Sequence, residues 1–284
     1  MPQPTPSGGR PGYRARSAAP TPNTTWISSG ASRLTNTCTG ESLALVPGPQ
    51  SVVESRHWLA GRLALVTGAS RGIGAATAEA MAAAGAHVVL AARDREALDG
   101  IAGRIRDSGG EATPAQTDIS DVDEVERLFA AVEGVGSLAA LVCAAGVLRS
   151  APFAQTTPEI WAETLDVNLT GSFLCCRASF AAMRKRGEGR IVNIASLSGV
   201  YATEKFPGLT AYNVSKYGVI GLTEGIAAEG KEHGISAICL SPGAVDTQML
   251  RQANPELRSP RPAGRTSPSS RTPSAGVPYA SLCE

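Results

Sequence analysis

Long apolar runs are missing from this chain. The nearest approach, "AMAAAGAHVVLAA", is broken by Gly85 and His87 and falls short of the roughly 18 apolar residues of a membrane span. It reads as helix, turn and strand, so no membrane partner is expected. An excess of one charge is missing too. The formal net charge is +1, whereas a nucleic-acid binder shows a basic face. The six cysteines form no CxxC pair and no His/Cys cluster, which excludes a metal site and a disulfide framework. They read as small hydrophobes in a reducing cytoplasm, and a cytoplasmic location follows. No apolar segment follows Met1, so a secretory signal is not expected. The sequons "NTT", "NLT" and "NVS" are then chance.

Hydrophobic periodicity is also absent from both ends. Residues 1–56 and 258–284 are rich in Pro, Ser, Gly and Arg or Thr, too poor in apolar side chains to offset the entropy of ordering. The first flank reads either as a transit peptide or as a disordered or wrongly assigned start. The flank has no clear basic amphipathic helix, which favours the latter. Residues 57–257 form a single folded domain on this reading. The tail from Arg258 is expected to be disordered or frameshifted.

Between the flanks, short apolar runs alternate with Ala-rich helical patterns. Strands are expected at 62–67, 86–92, 111–117, 138–144, 190–196 and 235–240. Between them come helices, the longest running from about Pro158 to Arg186 and from about Ala211 to His233. Continuous apolar strands separated by helices mean a parallel sheet covered on both faces. Right-handed crossovers make it an α/β, Rossmann-like, doubly wound sheet.

"TGASRGIG" (67–74) joins the first strand to the first helix. Gly68, Gly72 and Gly74 permit a tight turn and close backbone approach, and the helix start offers free N–H groups to a pyrophosphate. Tyr212 and Lys216 lie four apart on one predicted helix, so both project from one face. A neighbouring ammonium favours the phenolate, which is expected to lower the Tyr212 pKa and suit it to proton transfer.

The TGxxxGxG spacing resembles the short-chain dehydrogenase/reductase family. "YNVSK" (212–216) matches its YxxxK. Ser196 in "IVNIASLSG" matches its catalytic serine, with Ser198 a minor alternative, and Asn168 in "DVNLTG" its catalytic asparagine. "SPGAVDT" (241–247) resembles the segment that holds the nicotinamide, through Pro242, Gly243, Val245 and Thr247. Asp118 and Ile119 match the pair near the adenine. The resemblance implies a nicotinamide cofactor held by these residues with Ser70, Arg71, Ile73, Ala145 and Gly146. It gives Lys216 the ribose hydroxyls, Ser196 the substrate oxygen, and Asn168 a water in the proton path.

Cofactor choice follows from charge. The second strand ends at Ala92 rather than an acid, and Arg93 and Arg71 are near. Two guanidiniums suit a 2′-phosphate, so NADP(H) is preferred, with NAD(H) possible. The expected partner is a small carbonyl or alcohol substrate, and a homodimer is preferred among oligomers.

Two departures stand out. The family's NNAG is Cys143-Ala144-Ala145-Gly146 here, which removes the asparagine braces. Ser196 and Tyr212 are 16 apart, so the loop between them is longer than is usual in the family. After Leu257 the family's last helix and seventh strand are not recognisable. That would leave strand 235–240 as an exposed apolar edge, and it opens alternative readings: a cofactor-binding protein without turnover, or a scaffold.

Overall fold

The computed structural model describes residues 57–253 and, outside that span, the two-residue strand segments 25–26, 34–35, 42–43 and 281–282. Apart from those short segments, the expectations of disorder for 1–56 and 258–284 lie outside the described residues.

Six parallel strands carry the domain: β1 (Leu63–Thr67), β2 (His87–Ala92), β3 (Glu111–Gln116), β4 (Leu138–Cys143), β5 (Gly189–Ile194) and β6 (Ile235–Leu240). Their spatial order is β3-β2-β1-β4-β5-β6. The chain therefore reverses direction across the sheet between β1 and β4. Ligands of such sheets bind outside the carboxyl ends of the strands at that reversal.

The helices are α1 (Gly72–Ala83), α2 (Arg95–Asp107), α3 (Val122–Val135), α4 (Pro158–Leu165), α5 (Gly171–Arg186), α6 (Thr210–Gly230) and the short α7 (Gln248–Ala253). Local chemistry sets several starts. Asp94 caps α2 by accepting from the Ala97 N–H at 3.0 Å. Asp121 caps α3 through the Glu124 N–H at 2.9 Å, and Thr157 caps α4 with Pro158 in its first turn.

Alternate strand residues feed two cores. Leu65, Leu141, Ile191 and Ala237 meet α3, α5 and α6, with Leu128, Cys175 and Met183. Val66, Val88, Leu90 and Val142 meet α1 and α2, with Ala78, Leu98 and Ile105. β1 is buried along its whole length, as its continuous apolar run requires. Cys143, Cys175, Cys176 and Cys239 are buried, and burial pushes the Cys175 thiol up to about 12.

The expected long helix from Pro158 to Arg186 is not continuous. A π-helical turn, Asp166–Thr170, separates α4 from α5, and Asn168 sits inside it. At the far edge, Ser281–Leu282 pairs antiparallel with β6 through Ser281 and Cys239, and then with Thr25–Trp26. No full-length parallel seventh strand occurs among the described residues. The outer edge of β6 is thus touched at one position rather than left wholly bare.

Candidate active site

The site is built at the carboxyl ends of β1, β4, β5 and β6, where four loops meet. The turn after β1 comes first. Gly68 adopts φ +66°, and a Cβ there would lie 2.6 Å from the Ala145 N and Cα. Gly74 backs directly onto the Gly68 carbonyl, where a Cβ would lie 2.2 Å away. Only glycine permits this closure. Arg71 precedes α1 but makes no cap bond, and no acid stands in the first turn. In contrast to α2, α3 and α4, the positive end of α1 is left without a side-chain acceptor.

The loop after β4 follows. Thr67 accepts the Ala145 N–H at 3.3 Å, so a β1 hydroxyl braces this loop where the family's asparagines are missing. Beyond it, a Cβ on Gly146 would stand 3.2 Å from Asn168 Oδ1 and 3.7 Å from Lys216 Nζ. Asn168 is fully buried. Its Oδ1 accepts the Val147 N–H at 2.7 Å, and its Nδ2 donates to the Val147 carbonyl at 2.9 Å and to Ser215 Oγ at 3.0 Å. The side chain is spent on pinning the start of the 147–153 loop to α6. The π turn is what aims it there.

The third loop carries Ser196 at the end of β5. Its Oγ accepts the Ser198 N–H at 3.2 Å, and its hydroxyl is close enough to hydrogen-bond the Tyr212 phenol. Of the two serines, Ser196 is the one that acts on the Tyr212 phenol through a hydrogen bond. Lys216, buried one turn after Tyr212, donates to the Ile194 carbonyl at 2.8 Å. Its Nζ lies 5.7 Å from the centre of the Tyr212 ring.

The expected fall in the Tyr212 pKa is not what the geometry produces. Burial penalises the phenolate and pushes the phenol up, and the Ser196 hydrogen bond, which pulls down, does not outweigh it. Burial also brings Lys216 down from 10.5 to about 8.

The fourth loop, Ser241 to Thr247, closes the circuit. The Pro242 carbonyl accepts the Leu197 N–H at 3.0 Å. At its other end, a Cβ on Gly72 would come within 3.3 Å of Thr247 Cγ2. The predicted residues from Gly68 round to Thr247 are thus joined by successive contacts along one edge of the sheet.

The remaining predicted residues are placed less uniformly. Arg71 donates to Gln248 Oε1 at 3.3 Å, while Arg93 faces Asp118 at 3.8 Å. The two guanidiniums have different partners. Burial acts to raise the Asp118 carboxyl, but two Ser120 hydrogen bonds and Arg93 hold it below its ordinary value. The Ile119 side chain is buried against Gly171 and belongs to the core.

A groove of about 570 Å³ runs beside the turn, lined by Trp58, Ile73, Ala76, Met81, Val245 and Thr247 among others. It flanks α1, and none of Ser196, Tyr212 or Lys216 lines it. Sequence reading missed Thr67 and Ser215, whose hydroxyls carry no spacing signal. It also missed Lys205, in the loop between Ser196 and Tyr212.

Comparison with known proteins completes the picture. The family model described as short chain dehydrogenase matches residues 62–258. A 3-oxoacyl-[acyl-carrier-protein] reductase of a Synechocystis species is 38% identical over 200 residues, covering 70% of this chain and 80% of that protein. A gluconate 5-dehydrogenase of Gluconobacter oxydans is 36% identical over 68% of this chain and 75% of its own length. Among solved structures, a gluconate 5-dehydrogenase from Burkholderia cenocepacia in complex with NADP and tartrate superposes with a TM-score of 0.66 at 36% identity. That match covers 72% of this chain and 79% of the other.

Proposed function

The chain belongs to the short-chain dehydrogenase family, and from that premise we propose an NADP(H)-dependent oxidoreductase acting on a carbonyl or secondary alcohol, with Tyr212 as general acid and base. Oxidoreductase chemistry between CH–OH and C=O is the class its relatives share. The observation that carries the finer reading is the grouping of half-buried Ser196 with buried Tyr212 and Lys216 beside the glycine turn.

The residues present fit the cofactor. Gly68, Gly72 and Gly74 leave no Cβ in the way, and the uncapped start of α1, with Ser70 and Ile73, suits a pyrophosphate. Arg71, bonded to the neutral Gln248, and Arg93, 3.8 Å from Asp118 and so outside hydrogen-bond distance, would supply charge for a 2′-phosphate, and Asp118 and Ile119 would stand at the adenine side. Ala145 and Gly146, with Pro242, Gly243, Val245 and Thr247, would border the nicotinamide. When bound, the cofactor supplies or accepts the hydride.

The protein's own groups handle the proton. In reduction, the Tyr212 phenol donates its proton to the carbonyl oxygen; in oxidation, the phenolate takes it back. A phenol raised by burial stays protonated at neutral pH, the form reduction needs. Ser196 hydrogen-bonds the same substrate oxygen. Lys216 at about 8 is still mostly charged at pH 7. It gives one N–H to Ile194, which leaves two donors for ribose hydroxyls. Asn168 acts as a positioning residue, holding Val147 and Ser215 in place. A small-molecule substrate, a homodimer and a cytoplasmic setting complete the proposal. No helix among the described residues is long and apolar enough to cross a membrane.

Thermal melting of the full chain with NADPH and with NADH tests the reading, followed by NADPH oxidation against a panel of ketones. NADPH should raise the melting temperature more than NADH does. Tyr212→Phe should keep that shift and lose at least roughly a hundredfold in turnover. A larger shift with NADH refutes the cofactor choice. A cofactor shift with no turnover of any carbonyl favours the binding-only alternative.

A further inference from the structure

The two loops that flank Tyr212 and Ser196 are stitched into one wall. The Ala151 N–H donates to the Gly208 carbonyl at 3.0 Å, joining the 147–156 loop to the 197–209 loop. The α7 segment follows the fourth loop on the same edge of the sheet. These three stretches hold three cations among the described residues, and each is already engaged.

Arg149 makes two hydrogen bonds to the Glu163 carboxylate, at 2.9 and 2.5 Å. Arg251 bonds Asp246 at 2.7 Å. Lys205, in the lengthened loop, donates to the Val200 carbonyl and the Thr203 hydroxyl, both at 2.6 Å, and to the Leu197 carbonyl at 3.4 Å. Its ammonium also lies 5.0 Å over the Tyr217 ring, whose own hydroxyl donates to the Val200 carbonyl. Lys205 thus ties the turn that follows Ser196 onto α6, and its donors are consumed in doing so.

The same loops leave three large apolar side chains open, beside the neutral polar Ser150 and Gln155. Phe153, Tyr201 and Phe206 are 76%, 87% and 58% exposed. Glu204, between Tyr201 and Phe206, is exposed as well. A wall of aromatic side chains with no uncommitted cation can accept a neutral apolar body. A carboxylate brought to it would find no free cation as a partner and an exposed carboxylate, Glu204, on the same loop.

We infer that the substrate is an uncharged, apolar carbonyl compound or secondary alcohol, and that the Arg149–Glu163 pair is part of what excludes carboxylate-bearing substrates. The inference rests on the oxidoreductase reading above and names the substrate class of the same site.

The test is a matched pair with one reacting ketone: methyl 4-acetylbenzoate and 4-acetylbenzoate, each with NADPH and the full 284-residue chain. The expected kcat/KM is about tenfold or more higher for the ester. Glu163→Gln removes the carboxylate that occupies Arg149. It should narrow the ratio severalfold by raising use of the acid, whereas a merely structural role for the pair would lower both substrates together. Equal use of the two, or preference for the acid, overturns the inference while leaving the oxidoreductase reading intact.

Absence of all turnover counts against the oxidoreductase reading alone. In that case the melting temperature of the NADPH-saturated protein is read with methyl 4-(1-hydroxyethyl)benzoate and with the corresponding acid. A larger shift with the ester supports the substrate class. An equal shift, a larger one with the acid, or none with either overturns it.

Discussion

Replacing Asn168 by alanine should unfold the wall of the active site from within. The side chain is fully buried and satisfies both main-chain polar groups of Val147, itself 9% exposed. Its third bond, to Ser215 Oγ, matters less, because that hydroxyl keeps its own bond to the Tyr212 carbonyl at 2.7 Å. Alanine therefore orphans one buried N–H and one buried C=O. At roughly 1–3 kcal/mol each, the loss is about 4 kcal/mol, a large part of a typical margin of ~5–15 kcal/mol. For a domain of this size that corresponds to a fall of roughly 8–16 °C in melting temperature. Because Val147 opens the loop that carries Arg149 and Phe153, KM for substrate should rise more than KM for NADPH. Differential scanning calorimetry and urea melts of Asn168→Ala, Ser215→Ala and the double variant provide the assay. Ser215→Ala alone should cost about 1 kcal/mol, and the double should be less than additive, since the two residues share a bond. A single-variant shift below about 2 °C, or strict additivity, would refute the bracing argument.

Two further outcomes follow from the same geometry. Gly68→Ala puts a β-carbon 2.6 Å from the Ala145 backbone at a φ of +66°; it should cost about 2–5 kcal/mol and abolish the NADPH-induced melting shift. Parental melting with an intact shift would show that the turn is not closed as described. The second outcome is a pH dependence of stability. Lys216 sits at about 8 against its ordinary 10.5, so between those values the unfolded chain binds a proton that the folded chain does not, and stability rises with pH. Cys143 and Cys175, raised from 9.0, act in the opposite sense above about 9. Between pH 8 and 9 the lysine should dominate, with a gain of up to roughly 1 kcal/mol. Urea melts at the two pH values check this, and Lys216→Met should flatten the slope.

Alternation of apolar strands with helices was enough to place the six strands within a residue or two and to imply a parallel sheet. Each strand buries both faces, and such strands write themselves as continuous apolar runs. That the glycine turn follows the first strand, and that Tyr212 and Lys216 share one helix, was legible for a related reason. A turn and a helical repeat are local geometry, which spacing in the chain preserves. Three things were not legible. The π turn at Asn168 interrupts a helix whose local pattern is unbroken; it depends on Val147 and Ser215, some 21 and 47 positions away. The direction of the Tyr212 shift depends on burial by several elements at once, which no pairwise spacing reports. The pairing of Arg149 with Glu163, and of Lys205 with three groups of its own loop, decides which cations remain open to a substrate. Residue identity by itself determined which chemistry this chain can carry. Which of its charges are already spent was decided only by the tertiary structure, because hydrogen bonding and desolvation depend on neighbours that the fold, not the sequence order, brings together.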